Sequence, residues 1–509
     1  MTKLLALYRN SQLARLVCAL RRCWSESCVY SLICWILSRP PLDEGSRVRQ
    51  WLGRQNQKLS GAATLRDAIN SSNLNRLWQR ICKAGRESRL LGWAFSQGAT
   101  GLLLVILGLY TPIDYLLRDV FSIPVVSSGW DEGLLLLAVV WIVVIRIRET
   151  PALPSAGTPL DLPVFFFLCM CVALLLIRMR LVGINITGFR ATAQYLLWFF
   201  LATRLLRNDK QCQLLYRTMI AVAAVIALHG IYQYIVAAPI PEHWTDHAET
   251  AVRTRVYSIF GSPNIMGDFM VLFAPMTVGL AYSVKNKIGK LVLWGAAACM
   301  CLSCLFTMSR GAWVAMAVAV LVYALLADRR LLALMAVALV AALFVPFVAN
   351  RLTYVFTNDF AESTARGGRA VRWAQTMEYL YKDNPVFGMG FGMFGGAVAM
   401  QNKVSTWMEY FYTDNYYIKI LAENGYVGLV SFLLMMAGLL WTGLRGWFRQ
   451  RQSKVRSPLC AGMLAGLSGV LVHCYFENIF EEPYMAVCFW TVAAMLMYYG
   501  YLRERLGIQ

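Results

Sequence analysis

From residue 93 to the end, the chain alternates between long apolar runs and short polar connections. The runs fall at about 93–111, 133–145, 163–178, 191–204, 214–235, 264–283, 289–307, 311–327, 331–349, 426–444, 460–475 and 484–502. About 20 apolar residues in a helix cross a bilayer, and in lipid a helix satisfies its own backbone. The pattern therefore predicts an all-α polytopic membrane protein with twelve transmembrane helices, of which the second to fourth are the shortest. The longest polar interruption, 350–425, separates the ninth run from the tenth. It opens with Arg351, Arg366, Arg369 and Arg372, passes through a turn-rich piece from Asp383 to Gly396, and closes with T-D-N-Y-Y-I-K-I-L-A-E-N-G-Y-V-G-L, Thr413 to Leu429. In that last piece Tyr417, Ile420 and Leu421 recur at i, i+3, i+4. This spacing predicts a short amphipathic helix that Gly425 ends.

Composition agrees with the pattern. The chain is 58% hydrophobic and 15% charged, against about 25% charged for soluble domains. Residues 1–91 form a separate basic region, with sixteen Lys and Arg against five Asp and Glu. Its apolar run Cys28 to Leu37 is too short to span, and no signal-peptide cleavage pattern follows it. Amphipathic helices on an anionic cytoplasmic leaflet fit this stretch. The net charge of +20 is then a positive-inside signature, not one of nucleic-acid binding. Most of the fourteen cysteines lie in apolar runs or the N-terminal region. They form no disulfide framework or zinc pair in a polar setting, and only Cys474 is expected near an external surface. Cys301 and Cys304 read as packing residues.

Orientation follows from the connections. With the N-terminus inside, the inner loops carry Arg146 and Arg148, Arg204 to Arg217, Lys285 to Lys290, Arg329 and Arg330, Arg445 to Arg456, and Arg503 and Arg505. The outer loops carry Asp114, Asp119, Asp131, Glu132, Glu477, Glu481 and Glu482. The positive-inside rule then places 350–425 outside and both termini in the cytoplasm. Against the rule, Arg180, Arg190, Arg253, Arg255, Arg310, Arg351, Arg366, Arg369 and Arg372 face outward. Arginine suits bidentate recognition of phosphate, so this cluster points to an anionic lipid headgroup such as a pyrophosphate. Among other polar residues, His229 reads as a satisfied core histidine and His473 as a residue at a span's outer end near Glu477. His243 and His247 have i, i+4 spacing without a third ligand in register, so no metal site is expected.

Three stretches carry most of the chemistry: R-T-R-V-Y-S-I-F-G-S-P-N-I-M-G-D-F from Arg253 to Phe269, T-M-S-R-G-A-W from Thr307 to Trp313, and D-N-Y-Y-I-K-I-L-A-E-N-G-Y-V-G from Asp414 to Gly428. Together they resemble the O-antigen ligase and Wzy-type polymerase family of membrane glycosyltransferases. In its ligases a histidine-asparagine pair precedes Gly-x-x-Gly by nine residues. Here Asn415, Gly425 and Gly428 fit, and Asp414 stands at the histidine position. Members of a cyanobacterial type once labelled bicarbonate transporters look similar at F-G-S-P-N, which includes Asn264, and at S-R-G.

The resemblance implies transfer of a glycan from an undecaprenyl-pyrophosphate carrier to a glycan, lipid or protein acceptor outside the bacterial cytoplasmic membrane, without cofactor or metal. Arg190, Arg253, Arg255, Arg369 and Arg372 are the candidates for pyrophosphate binding, with Arg310 and Asp414 at the reacting centre. Arg310 would stabilise the leaving charge; Asp414 would serve the acceptor hydroxyl, its structural alternative being a helix N-cap. From other classes, a transporter of a small anion such as bicarbonate is the alternative, although no repeated halves are visible. A structural assembly protein would leave the outward arginines unexplained.

Overall fold

The structure is a computed structural model. It describes residues 47–89, 91–122, 124–149, 157–239, 254–353 and 368–508, with Ser27, Ser31, Cys34, Trp35 and Leu37. Arg253, Arg366, His243 and His247 lie outside the described residues. Among those described, secondary structure is helical, with no strand, as the apolar pattern predicts.

Three N-terminal helices come first: α1 (Arg47–Ser60), α2 (Ala63–Ser71) and α3 (Asn73–Glu87). The helices α4 (Gly98–Gly108), α5 (Tyr110–Tyr115), α6 (Pro124–Arg148), α7 (Asp161–Ile177), α8 (Val182–Ala193), α9 (Leu197–Leu205) and α10 (Asp209–Ile235) follow. Next come α11 (Pro263–Ser283), α12 (Lys287–Phe306), α13 (Arg310–Leu326), α14 (Arg330–Leu343) and α15 (Pro346–Thr353). The polar segment holds α16 (Arg369–Asp383) and α17 (Ala397–Asn402). The chain ends with α18 (Tyr416–Gln450), α19 (Arg456–His473) and α20 (Pro483–Met497).

Each of the twelve apolar runs coincides with helix, but fewer helices have the length and apolarity to cross a membrane. Five of the described helices do: α10, α11, α12, α18, and α20 extended to Arg505. A sixth is possible if α4 and the Tyr110–Val120 segment, bent by 66°, count as one broken span. The shortfall against twelve has physical causes. The helices α7 and α13 are apolar but shorter, and α8 and α9 are interrupted by a 3-10 turn at Gln194–Leu196.

The centre of the bundle is α11, packed by α12, α13 and α19. Small residues permit that closeness. A Cβ on Gly466 of α19 would lie 2.3 Å from the Leu272 carbonyl oxygen, and one on Gly462 would lie 2.6 Å from that of Pro275.

The described part of the polar segment is folded, not an open loop. The helix α18 breaks at Gly425, with φ 64° and ψ −168°, a backbone region essentially reserved for glycine. So the short helix does end at Gly425, as the sequence predicts, and a second begins beyond it. The 385–390 turn fills the break. The amides of Met389 and Gly390 donate to the carbonyls of Ala422 and Glu423 at 2.9 and 2.8 Å, and those of Tyr426 and Val427 donate to Pro385 and Val386 at 2.9 and 3.2 Å. Every backbone group freed by such a kink needs a partner. The described cysteines are unpaired; Cys304 is buried and Cys301 exposed. Cys474 is fully buried instead of lying at an external surface, because its carbonyl accepts the Tyr416 amide at 2.8 Å inside the bundle.

Candidate active site

Four connections that are far apart in sequence meet at one end of the central helices. The first is the strap 254–262 before α11. It is held by Gln233, whose side-chain oxygen accepts from the amides of Tyr257 and Ser258 at 3.0 and 2.7 Å. The Val256 amide donates to the Phe306 carbonyl at 3.2 Å. This strap delivers Arg255, whose Nε donates to the Thr307 carbonyl at 3.2 Å and whose Nη2 reaches Asn264 Oδ1 at 3.4 Å. Asn264 is fixed one residue after Pro263 at the start of α11, with Ser262 as N-cap, the arrangement that suits a helix start.

The second connection is the 307–309 turn between α12 and α13, capped by Ser309. It places Arg310 in the first position of α13. The third is the 474–482 turn between α19 and α20. A Cβ on Gly311 would lie 2.7 Å from the Phe476 side chain, so the glycine lets this turn come close to Arg310. There Glu477 accepts from Asn264 Nδ2 at 2.7 Å and from the Asn478 amide at 3.0 Å.

The fourth is the polar segment. Arg369 and Arg372 lie in the first turn of α16 and reach Asp414 Oδ2 at 3.6 and 2.7 Å. Arg372 also donates to the Tyr412 carbonyl at 2.8 Å, and Trp373 Nε1 donates to that of Thr413 at 2.7 Å. Thr413 Oγ1 in turn donates to Asn478 Oδ1 at 3.1 Å, which ties this connection to the third.

Asp414 does not cap the helix. Asn415 does, accepting from the amides of Tyr417 and Ile418 at 3.0 and 3.1 Å. The alternative reading of Asp414 as an N-cap is corrected accordingly. Asp414 has a φ of +46°, and this left-handed turn directs its carboxylate away from the helix start to the arginines.

The electrostatics show how close these groups are. Burial lowers the Arg255 pKa to about 10; Glu477 pulls it up, and the like charges of Arg310 and Arg369 push it down. Burial raises the Glu477 carboxyl above its usual range. Asp414 raises it further, against the hydrogen bonds from Asn264 and Asn478 and the charge of Arg369. Burial pushes the Tyr412 hydroxyl up to about 12, with Glu481, Glu482, Glu477 and Asp414 adding to it. The site is thus a patch of arginines facing a patch of carboxylates.

The structure brings together Arg255, Asn264, Arg310, Arg369, Arg372, Asp414 and Asn415. It adds Glu477, which the sequence reading takes only as an outer-loop charge. The signal was its place four residues beyond His473, on the turn that enters α20. Arg190 is elsewhere, ion-paired to Glu132 and bonded to Gln194 at 3.2 Å, and Arg180 is paired to Asp383. His473 is fully buried, with Nδ1 3.0 Å from Asp268 Oδ1, one helical turn below the Asn264–Glu477 contact. His229 is paired to Ser258 Oγ at 2.8 Å but is exposed, not in the core. Gly428 packs against Asn424, where an added Cβ would lie 2.2 Å from that residue's Cβ.

A neighbouring buried cluster supports the floor. Lys419 Nζ lies 3.0 Å from Glu423 and 3.4 Å from Glu481. Glu423 accepts the Gly392 amide at 3.0 Å, and Glu481 accepts that of Ala397 at 3.3 Å.

Fold and site define a class: a helical, membrane-type protein that gathers arginines and carboxylates from its connections. Residues 295–433 match the family model described as O-antigen ligase, and over this segment the chain is similar to that family. The match contains Arg310, Arg369, Arg372, Asp414, Asn415, Gly425 and Gly428. Arg255, Asn264 and Glu477 lie outside it and are joined to it by geometry. No curated protein matches the chain.

Proposed function

We propose that the protein transfers a glycan from an undecaprenyl-pyrophosphate-linked donor to an acceptor hydroxyl at the outer face of the bacterial cytoplasmic membrane. The proposal includes twelve crossings, with 350–425 outside and both termini inside. The observation that carries it is the convergence of Arg255, Arg310, Arg369 and Arg372 on Asp414 and Glu477. As the sugar–oxygen bond to phosphate breaks, the bond's electron pair goes to the leaving pyrophosphate. Arginines fixed beforehand in a site poor in water stabilise that growing charge. The acceptor oxygen attacks the anomeric carbon and gives its proton to a carboxylate. Asp414 is engaged by two arginines and positions them. Glu477, whose pKa burial raises above the usual carboxylate range, is a stronger base than an ordinary carboxylate and takes the proton. The products are the glycosylated acceptor and the lipid pyrophosphate. The family match gives the anion-transport alternative no support.

Arg255→Lys and Arg310→Lys keep the charge but lose the planar fork. A lost charge-assisted contact costs about 1.5–3 kcal/mol, so each variant should lose roughly ten- to a hundredfold in transfer rate. Wild-type rates in both would count against a phosphate clamp. Asp414→Asn should keep the fold and lose at least tenfold in rate, because Asn415 and not Asp414 caps the helix.

A further inference from the structure

At the other end of the chain, the N-terminal helices leave an apolar groove that the transfer site does not use. The helix α3 is amphipathic. Its polar face carries Arg76, Arg80 and Lys83, and its apolar face carries Leu74, Leu77 and Ile81, which are 78, 55 and 44% exposed. That apolar face does not close onto the bundle. Between it, α4 and α6 lies a cavity of about 390 Å³. Leu102 and Ile106 of α4 form one wall, and Leu137, Val140 and Val144 of α6 form another. Along α6 the groove runs from Leu137 to Arg148, about 16 Å at the helical rise.

A cation lines the groove. Arg148 Nη2 donates to Asn75 Oδ1 at 2.7 Å, and its guanidinium lies 6.0 Å from the Trp141 ring centroid. Asn75 is more than nine-tenths buried. The Nε of Arg148 is buried and has no hydrogen-bond partner among the described residues, a costly state for a charged donor. Around it, residues 47–89 carry ten Lys and Arg against Asp67 and Glu87.

An apolar slot of chain-like length, lined by an arginine with an unused donor and set among basic helices, has one complementary ligand class. We propose that this groove holds an acyl chain of an anionic phospholipid, with the lipid phosphate at Arg148. The lipid then fastens α1–α3 to the spans by apolar burial and charge together, the two signals that stable membrane association needs. This site is independent of the glycan-transfer reading.

The test uses the full chain in nanodiscs, with phosphatidylglycerol or phosphatidylcholine carrying a diazirine in one acyl chain, and maps the cross-linked peptides. The expected result is phosphatidylglycerol labelling concentrated on residues 69–81 and 137–148, at least about fivefold above phosphatidylcholine, whose choline cation is repelled by Arg148 and the basic residues of 47–89. Arg148→Gln should bring the two probes level. Leu77→Trp, at an exposed position, should fill the slot and lower both. Equal labelling by the two probes, or labelling no higher in the groove than on the exposed face of α10, would overturn the proposal. So would displacement of the probe by undecaprenyl phosphate but not by excess phosphatidylglycerol, since the occupant would then be a polyprenyl lipid.

Discussion

Replacing Gly425 by alanine tests whether the kink in α18 is what presents Asp414. A methyl there would lie 2.3 Å from the Val386 carbonyl oxygen and 2.5 Å from the Gly388 amide nitrogen. Both are backbone atoms, so neither can rotate aside. The φ of 64° and ψ of −168° cost a non-glycine residue about 1–3 kcal/mol. Forcing the 385–390 turn outward adds about 1–3 kcal/mol of overpacking and loosens the four backbone bonds across the break. The sum is about 2–6 kcal/mol, a large part of the roughly 5–15 kcal/mol that holds a domain together. Thermal melting of purified Gly425→Ala protein, with transfer activity alongside, measures it. Gly295→Ala is the control: that glycine is exposed on α12 with nothing within 4 Å of an added Cβ, and alanine there should be neutral or stabilising by up to about 1 kcal/mol. Gly425→Ala should melt well below Gly295→Ala and lose activity. If both melt with the wild type, the kink is not held as described and the reasoning fails.

Three further outcomes are expected. Because Glu477 must be ionised to accept a proton and its pKa is raised, wild-type kcat/KM should fall as pH drops through that raised value. In Glu477→Gln the rate should be low and this acid limb absent; an unchanged limb would move the proton acceptor elsewhere. Lys419→Met leaves Glu423 and Glu481 buried without their shared cation and should cost about 3–5 kcal/mol, read as a lower melting temperature that a second change, Glu423→Gln, partly restores. Reporter fusions at Asn402 and Gln452 should report opposite sides of the membrane, and matching signals would sink the proposed topology.

Much of this was legible in the sequence, for definable reasons. Apolar runs give helices directly, so the all-α class follows from periodicity and composition. Run length alone names twelve candidate crossings but does not show where a run is broken, because the 3-10 turn after Ala193 is a short-range feature that hydropathy averages away. Arg255, Arg310 and Arg372 could be picked out because a cation outside a span has no topological use. Arg190 met the same criterion but is paired with Glu132, a partner that becomes visible only when α6 and α8 are brought together. Asp414 and Asn415 could not be told apart as caps from their order, since both are good N-cap residues; the left-handed backbone at Asp414 decides it. Glu477 was missed because its meaning comes from Asn264, a contact across 213 positions.

The central claim is that the converging arginines hold a lipid pyrophosphate. Binding of undecaprenyl pyrophosphate and of undecaprenyl phosphate to the purified protein, measured side by side by native mass spectrometry, tests it most directly. Wild type should prefer the pyrophosphate by roughly tenfold or more, since the extra phosphate adds at least one charge-assisted contact. In the Arg255→Lys, Arg310→Lys double variant that preference should collapse. Equal affinity of the wild type for the two lipids, or a preference that survives in the double variant, would contradict the account.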